Sequence, residues 1–321
     1  MKTFVYFQPE YVNLFRCTGG GCLKSCCKDW TITIDRAIYK KYRQIKPKDT
    51  AKEILSHLKF DAKQDSYVVK LDEKLFCPFL TEDSLCRLQR DYGEEFLSVT
   101  CSTYPRRTYA VGKIFERSLT LTCPAAAETV LFAKAYQSEE FLLTEILPVV
   151  ETFVFDANDF IKFIITFTGH TLEQLNTKEG RKFLVALQEV LGIKPDENNL
   201  VSLPEIAANY ERLADARKNF LEKYSPFLEN YLVNELFYSM YPWRFMTESL
   251  TKNFAVFLIS FKIFELITFA TVQSGLNLKE DLLLMVNWFM TTTNHNNDLY
   301  KRFFELLAGI DDTYLLMAVL L

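Results

Sequence analysis

The chain has 321 residues, 49% hydrophobic and 24% charged, with 28 Phe and 16 Tyr but only 10 Gly and 10 Pro. This is the composition of an ordered globular protein with a large core; it excludes a disordered chain and argues against a strand-and-turn architecture. Residues 1–123 carry 21 Lys+Arg against 15 Asp+Glu, and residues 124–321 carry 16 against 26, so the first part is basic, though too weakly to indicate nucleic acid.

All eight cysteines, Cys17, Cys22, Cys26, Cys27, Cys77, Cys86, Cys101 and Cys123, fall in the first 123 residues. The opening M-K-T-F-V-Y-F-Q-P-E lacks the apolar core and cleavage site of a secretory leader, so a cytoplasmic location is expected. Thiols stay reduced there, and clustered cysteines then point to metal rather than disulfides.

In chain order, residues 1–35 read as irregular and end in the alternating run W-T-I-T-I-D, where Trp30, Ile32 and Ile34 share one face of a short half-buried strand. Asp35 is the predicted N-cap of a helix that begins R-A-I-Y-K-K-Y. S-Y-V-V-K-L predicts a strand or hairpin arm. T-E-D-S predicts a turn between Cys77 and Cys86, and D-Y-G-E-E-F-L a short helix after it. Val111 to Lys113 would turn a hairpin, Phe115 to Thr122 alternates as its second arm, and Pro124 stands in the first turn of a helix.

From residue 125 onward helix follows helix, each with apolar residues at i, i+3 and i+4; Gly192 is a predicted C-cap and Pro204 a predicted first helical position. The apolar run from Phe254 to Val272 contains Lys262 and Glu265, three residues apart and able to pair on one helix face. It reads as a buried helix, and no membrane association is expected. The expected fold class is mainly α (α+β): a cysteine-rich region of short strands and helices over 1–124, then an all-helical body over 125–321.

Cys17-x4-Cys22-x3-Cys26-Cys27 is tight enough for several sulfurs to reach one centre. Gly19, Gly20 and Gly21 let the loop fold back, and their N–H groups could bond thiolate or sulfide. Cys26 and Cys27 are adjacent, so their side chains should diverge toward different partners. The eight thiols could make two four-ligand sites, or one cluster plus structural cysteines. Neither the paired C-x2-C of zinc knuckles nor the bacterial ferredoxin run is present, so zinc and iron–sulfur both stay open. Arg106 and Arg107 could clamp a carboxylate, Glu116 could take a proton from a lysine ammonium, and Asp35 could hold a substrate amine or simply cap its helix. His57, His170 and His295 are scattered, and none is expected to be a ligand.

The blocks F-R-C-T-G-G-G-C-L-K-S-C-C-K-D-W-T-I-T-I-D, C-P-F-L-T-E-D-S-L-C-R-L, Y-G-E-E-F-L-S-V-T-C-S-T-Y-P-R and S-L-T-L-T-C-P resemble, in order, the flagellin lysine N-methylase family of the FliB type. That family is related to the cysteine-cluster zinc- and iron-chelating proteins. The later stretch Pro226 to Phe237 is similar as well, and Asn230, Tyr231 and Asn234 in it would line a substrate groove. The resemblance implies methyl transfer from S-adenosylmethionine to lysine side chains of a protein, flagellin or similar, with an iron–sulfur (4Fe–4S) cluster held by cysteines. One departure is Ala125, where the family tends to carry Glu after Cys-Pro. The chain has no strand, glycine-rich turn and acidic residue in the order of a Rossmann fold, so S-adenosylmethionine would be held some other way. A cluster iron with an open site could bind its amino and carboxylate groups. The alternatives are a non-enzymatic zinc- or iron-binding module and a cluster-based redox protein.

Overall fold

The computed structural model describes residues 6–111, 114–133, 202–239, 250–274, 278–294 and 297–308, with isolated positions at 185, 188 and 189. The predicted elements in 134–184 and the Gly192 cap lie outside the described residues.

The chain opens with a short strand β1 (Tyr6–Phe7) and a single helical turn α1 (Tyr11–Leu14). Strand β2 (Thr33–Ile34) leads into α2 (Arg36–Gln44) and α3 (Lys48–Ser56), followed by the hairpin β3 (Leu58–Asp61) and β4 (Ser66–Val69). These strands form an antiparallel sheet of order β2-β4-β3. Two short helices follow, α4 (Arg87–Tyr92) and α5 (Val99–Thr103), then β5 (Arg106–Val111) and β6 (Ile114–Leu119). β5 and β6 pair antiparallel, and β1 joins β6 in parallel. The helical body consists, among the described residues, of α6 (Pro124–Leu131), α7 (Leu203–Arg212), α8 (Ala214–Tyr238), α9 (Leu250–Ser274), α10 (Leu278–Asn294) and α11 (Asn297–Ala308).

Local chemistry sets the boundaries. Asp35 has extended backbone and accepts from the main-chain N–H groups of Ala37 and Ile38, while its second carboxylate oxygen accepts from Val99 N–H at 3.3 Å. It therefore caps α2 and ties that helix to α5. Asp35→Ala should cost about 0.5–2 kcal/mol of stability, whereas Asp35→Asn, which keeps a capping oxygen, should cost less; urea unfolding of the two variants measures the difference. Ser202 and Glu205 form a reciprocal capping box at the start of α7. Leu203 is thus the first helical residue and Pro204 the second, one later than the sequence pattern places it. The stretch D-Y-G-E-E-F-L is not one helix: Gly93 adopts φ +93°, ending α4 and starting a separate 3₁₀ turn over Glu94–Phe96. The W-T-I-T-I-D run pairs only at Thr33–Ile34, yet its alternation holds, with Ile32 and Ile34 buried.

Two hydrophobic cores result. One fills the space between α2, α3 and the β2-β4-β3 sheet, with Ile34, Tyr42, Ile54, Val69 and Cys77 at its centre. The other is built by the helical body and also takes in Tyr11, Val12 and Phe15 of the N-terminal turn and Leu119, Leu121 and Cys123 after the second hairpin. The change in composition near residue 125 is therefore not where the cores divide. The centre of the larger core is α9, which packs on α7, α8, α10 and α11. Tyr231 stacks on Phe264 with ring centroids 3.6 Å apart. The predicted pair is there: Lys262 Nζ meets Glu265 Oε1 at 3.0 Å, inside the protein, and the Tyr210 hydroxyl donates to the same carboxylate. By length and composition Val256–Ser274 could cross a membrane, but 72% of that window is buried against protein.

Candidate functional site

The cysteines come together where the two cores meet. Cys77 N–H donates to Cys27 O at 2.8 Å, beside an antiparallel bridge between Lys28 and Phe76, so the cysteine loop is stitched to the segment before the predicted turn. The turn forms as expected: Thr81 N–H donates to Leu85 O, and Leu80 bridges Cys86. This brings Cys86 back toward Cys77. Gly19 has φ +56°, and Gly20 lies so close to the turn that a Cβ would stand 2.5 Å from Asp83 O. Glycine is needed there for close backbone approach, which presses the cysteine loop against the turn. Cys101 enters from α5, whose N-cap Ser98 accepts its N–H at 3.2 Å. Cys123 is the N-cap of α6.

Electrostatics shows which thiols are neighbours. The Cys26 thiol is lowered to about 7 because Cys27 hydrogen-bonds to its charged form. Cys27 is raised by the same bond, by burial and by the charges of Cys26, Cys77 and Cys86. Burial pushes Cys77 up to about 12, helped by Cys86, Cys101 and Cys26, and it raises Cys101 with help from Cys86 and Cys26. Cys123 is also pushed to about 12 by burial, with Cys22 and Cys26 adding to it against hydrogen bonds from the Ala125 and Ala126 main chain. Two neighbourhoods therefore exist. Cys27, Cys77, Cys86 and Cys101 form one, Cys22 and Cys123 the other, and Cys26 interacts with both. The side chains of Cys26 and Cys27 do not diverge as their adjacency suggests, because their sulfurs hydrogen-bond to each other. Cys17 is exposed and belongs to neither group; its sulfur accepts from Gly19 N–H at 3.4 Å, the contact that this glycine run makes with a thiol.

All eight cysteines are free thiols. Among the described residues no three His, Cys, Asp or Glu side chains stand close enough to enclose a metal ion as they are. In kind, however, the donor set suits one. Packed thiols are costly to ionise together, and a cation among them removes that cost. Aromatic rings border the site: Trp30 donates to Cys26 O and packs on Tyr104 at 5.6 Å, and Tyr104 and Tyr42 are raised by burial and then by the surrounding cysteines.

A residue that sequence patterns do not single out fastens this region to the helical body. Asn287 on α10 is 3% exposed; its Oδ1 accepts from Lys24 Nζ at 2.7 Å and its Nδ2 donates to Thr122 O. It thus grips the loop between Cys22 and Cys26 and the residue before Cys123. The contact spans 263 positions of sequence, and no local pattern marks it. Asn287→Leu strands both partners and should cost about 1–3 kcal/mol, read as a lower thermal midpoint with an intact helical circular-dichroism spectrum.

The remaining candidates separate. Arg106 pairs in register with Leu119, and Glu116 with Tyr109, so the alternation of the ladder puts Arg106 and Glu116 on opposite faces. Arg106 lies over the Phe15 ring at 5.1 Å. The two cannot act on the same substrate atom. Arg107, on the Glu116 face, donates to the Tyr238 hydroxyl at 2.6 Å. Asp35 is taken up by capping. Asn230, Tyr231 and Asn234 do not line a groove: all three are at most 3% exposed, and Asn234 accepts the Tyr11 hydroxyl inside the core. His57 pairs with Glu53, while His170 and His295 lie outside the described residues. Ala125 is buried in the first turn of α6.

Comparison with known proteins identifies the family. The FliB lysine N-methylase C-terminal domain matches residues 123–319. The chain is 38% identical over 136 residues to a lysine-N-methylase of Salmonella choleraesuis and 37% identical over 136 residues to that of Salmonella typhimurium, covering 41% of this chain and 33% of each relative. It is 35% identical over 134 residues to the flagellar biosynthetic protein FliU of Salmonella muenchen, covering 41% of this chain and 79% of that one. The chain thus spans about a third of the length of the two methylases. No solved structure matches it. With the domain match running through most of the helical body, the chain belongs to the FliB lysine N-methylase family.

Proposed function

We propose that the chain is a protein-lysine N-methyltransferase that uses S-adenosylmethionine and holds an iron–sulfur cluster on its cysteines, with flagellin or a similar lysine-bearing protein as substrate. The observation that carries this reading is the gathering of Cys22, Cys26, Cys27, Cys77, Cys86, Cys101 and Cys123 into adjoining groups at the junction of the two cores. The names of the relatives support the reaction class. Cys27, Cys77, Cys86 and Cys101 would hold the cluster, four thiolates being the usual complement. Bound there, a 4Fe–4S cluster supplies a Lewis-acidic iron and strong local polarisation.

The protein's own residues would do the rest. Trp30, Tyr104 and Tyr42 pack beside the thiols, of which Cys77 and Cys123 are buried, and Asn287 holds the cysteine loop in register with α6. A deprotonated lysine nitrogen attacks the sulfonium methyl, the carbon–sulfur bond breaks, S-adenosylhomocysteine departs, and the new methylammonium sheds a proton to solvent. In-line displacement depends chiefly on positioning, which suits a rigid site between two cores.

The test is transfer of radiolabelled methyl from S-adenosylmethionine to purified flagellin by the anaerobically isolated protein, with the label mapped by mass spectrometry. Label on lysine ε-nitrogens is the expected result. No label on flagellin or on any protein of a whole flagellated-cell extract would refute the enzyme and leave a metal-binding module.

A further inference from the structure

One face of the β5–β6 hairpin carries three polar groups that are incompletely paired among the described residues: a guanidinium without a carboxylate, a carboxylate without a cation and a buried hydroxyl without a partner. Arg107 stands directly across from Ser118, and Tyr109 across from Glu116, so all four share that face. The Arg107 guanidinium is sandwiched between the rings of Tyr109 and Tyr238, at 4.8 and 4.6 Å, and its hydrogen bond goes to a neutral phenol. Among the described residues it has no carboxylate partner. Glu116 is half-buried and, among the described residues, has neither a cation nor a hydrogen-bond donor; burial alone raises its carboxyl. Ser118 is 1% exposed, and among the described residues its hydroxyl has no partner. Each such group costs stability, and proteins retain them where a ligand completes them.

Arg107 and Glu116 are diagonal neighbours, a relation that puts residues about 7–8 Å apart, yet they do not pair. The two tyrosine rings hold the guanidinium away. A simple anion would be repelled by Glu116, and a simple cation by Arg107. A ligand bearing both charges on one carbon satisfies both.

We propose that Arg107, Ser118 and Glu116 bind the α-amino carboxylate of an amino-acid-derived ligand, with Arg107 and Ser118 on the carboxylate and Glu116 on the ammonium. Resting on the function proposed above, that ligand is the amino-acid end of S-adenosylmethionine. Position supports the assignment. The Arg107–Ser118 rung is at the end of the hairpin from which the chain runs back to α5, which carries Cys101, and on to Cys123 at the start of α6.

Calorimetry on the anaerobically isolated protein tests this with three probes: S-adenosylhomocysteine, 5′-methylthioadenosine, which lacks the amino-acid end, and free methionine. S-adenosylhomocysteine should bind the wild type at least about tenfold tighter than methylthioadenosine. Arg107→Gln and Glu116→Gln should each remove about tenfold or more of that affinity while leaving methylthioadenosine binding and the visible absorption unchanged. Wild-type affinity for S-adenosylhomocysteine in both variants, or equal binding of the two nucleosides by the wild type, would overturn the site and leave a cluster iron as the better anchor. If the wild type binds neither nucleoside, the S-adenosylmethionine reading itself fails. Methionine then decides: binding lost in Arg107→Gln keeps the amino-acid site, and no binding removes it.

Discussion

Replacing Cys77 or Cys86 with serine should empty the site. Both belong to the group that also contains Cys27 and Cys101, and Cys77 is buried at its centre. Loss of a partner one shell out from a metal commonly costs 10–100-fold in affinity, and loss of a ligand costs more. Metal content should fall from stoichiometric to below about a tenth, and methyl transfer should fall with it. Cys17→Ser should lose less metal than either, because Cys17 lies outside both thiol groups. Equal loss in all three variants, by elemental analysis of anaerobic preparations, would mean that the thiols regroup around the metal.

The second large effect is on stability, in α9. Glu265 is 3% exposed and accepts from both Lys262 and Tyr210. Glu265→Leu leaves a 2%-exposed lysine without its carboxylate and a tyrosine hydroxyl without its acceptor. Breaking a buried pair from one side costs about 3–5 kcal/mol, whereas replacing both partners with apolar residues of similar size is often neutral or stabilising. The expected order in urea unfolding is therefore Glu265→Leu far below wild type, with Lys262→Met/Glu265→Leu near it. A double variant as unstable as the single one would show that Tyr210, stranded in both, carries the larger share.

Local signals were readable wherever a single residue dictates them. Asp35 before a helical pattern is a cap because its oxygens reach the N–H groups two and three positions on. Pro124 opens α6, and T-E-D-S turns the chain between two cysteines. Lys262 and Glu265, three apart in an apolar run, mark a core helix, and they meet there. What sequence patterns could not convey depends on distant partners. Strand β1 exists because β6 lies beside it, more than a hundred residues away. Tyr11 and Leu119 join the helical core although both precede the composition change.

The site divides along the same line. The cysteines announce themselves as a set, but their division into two groups follows from tertiary placement. Cys26 and Cys27 turn their sulfurs toward each other, and Cys26 interacts with both neighbourhoods. Arg106 and Arg107 are equivalent in sequence. Register alone separates them, sending Arg106 to Phe15 and Arg107 to the face of Glu116 and Tyr238.

The most direct test of the account is the metal itself. The protein is purified anaerobically, its iron, sulfide and zinc are quantified, and its visible spectrum is recorded with and without S-adenosylmethionine. The account predicts iron and sulfide near four each, on the order of one cubane cluster, with a broad absorption near ~400 nm that shifts when the cofactor is added. Stoichiometric zinc and a colourless protein, under conditions that preserve clusters, would contradict it.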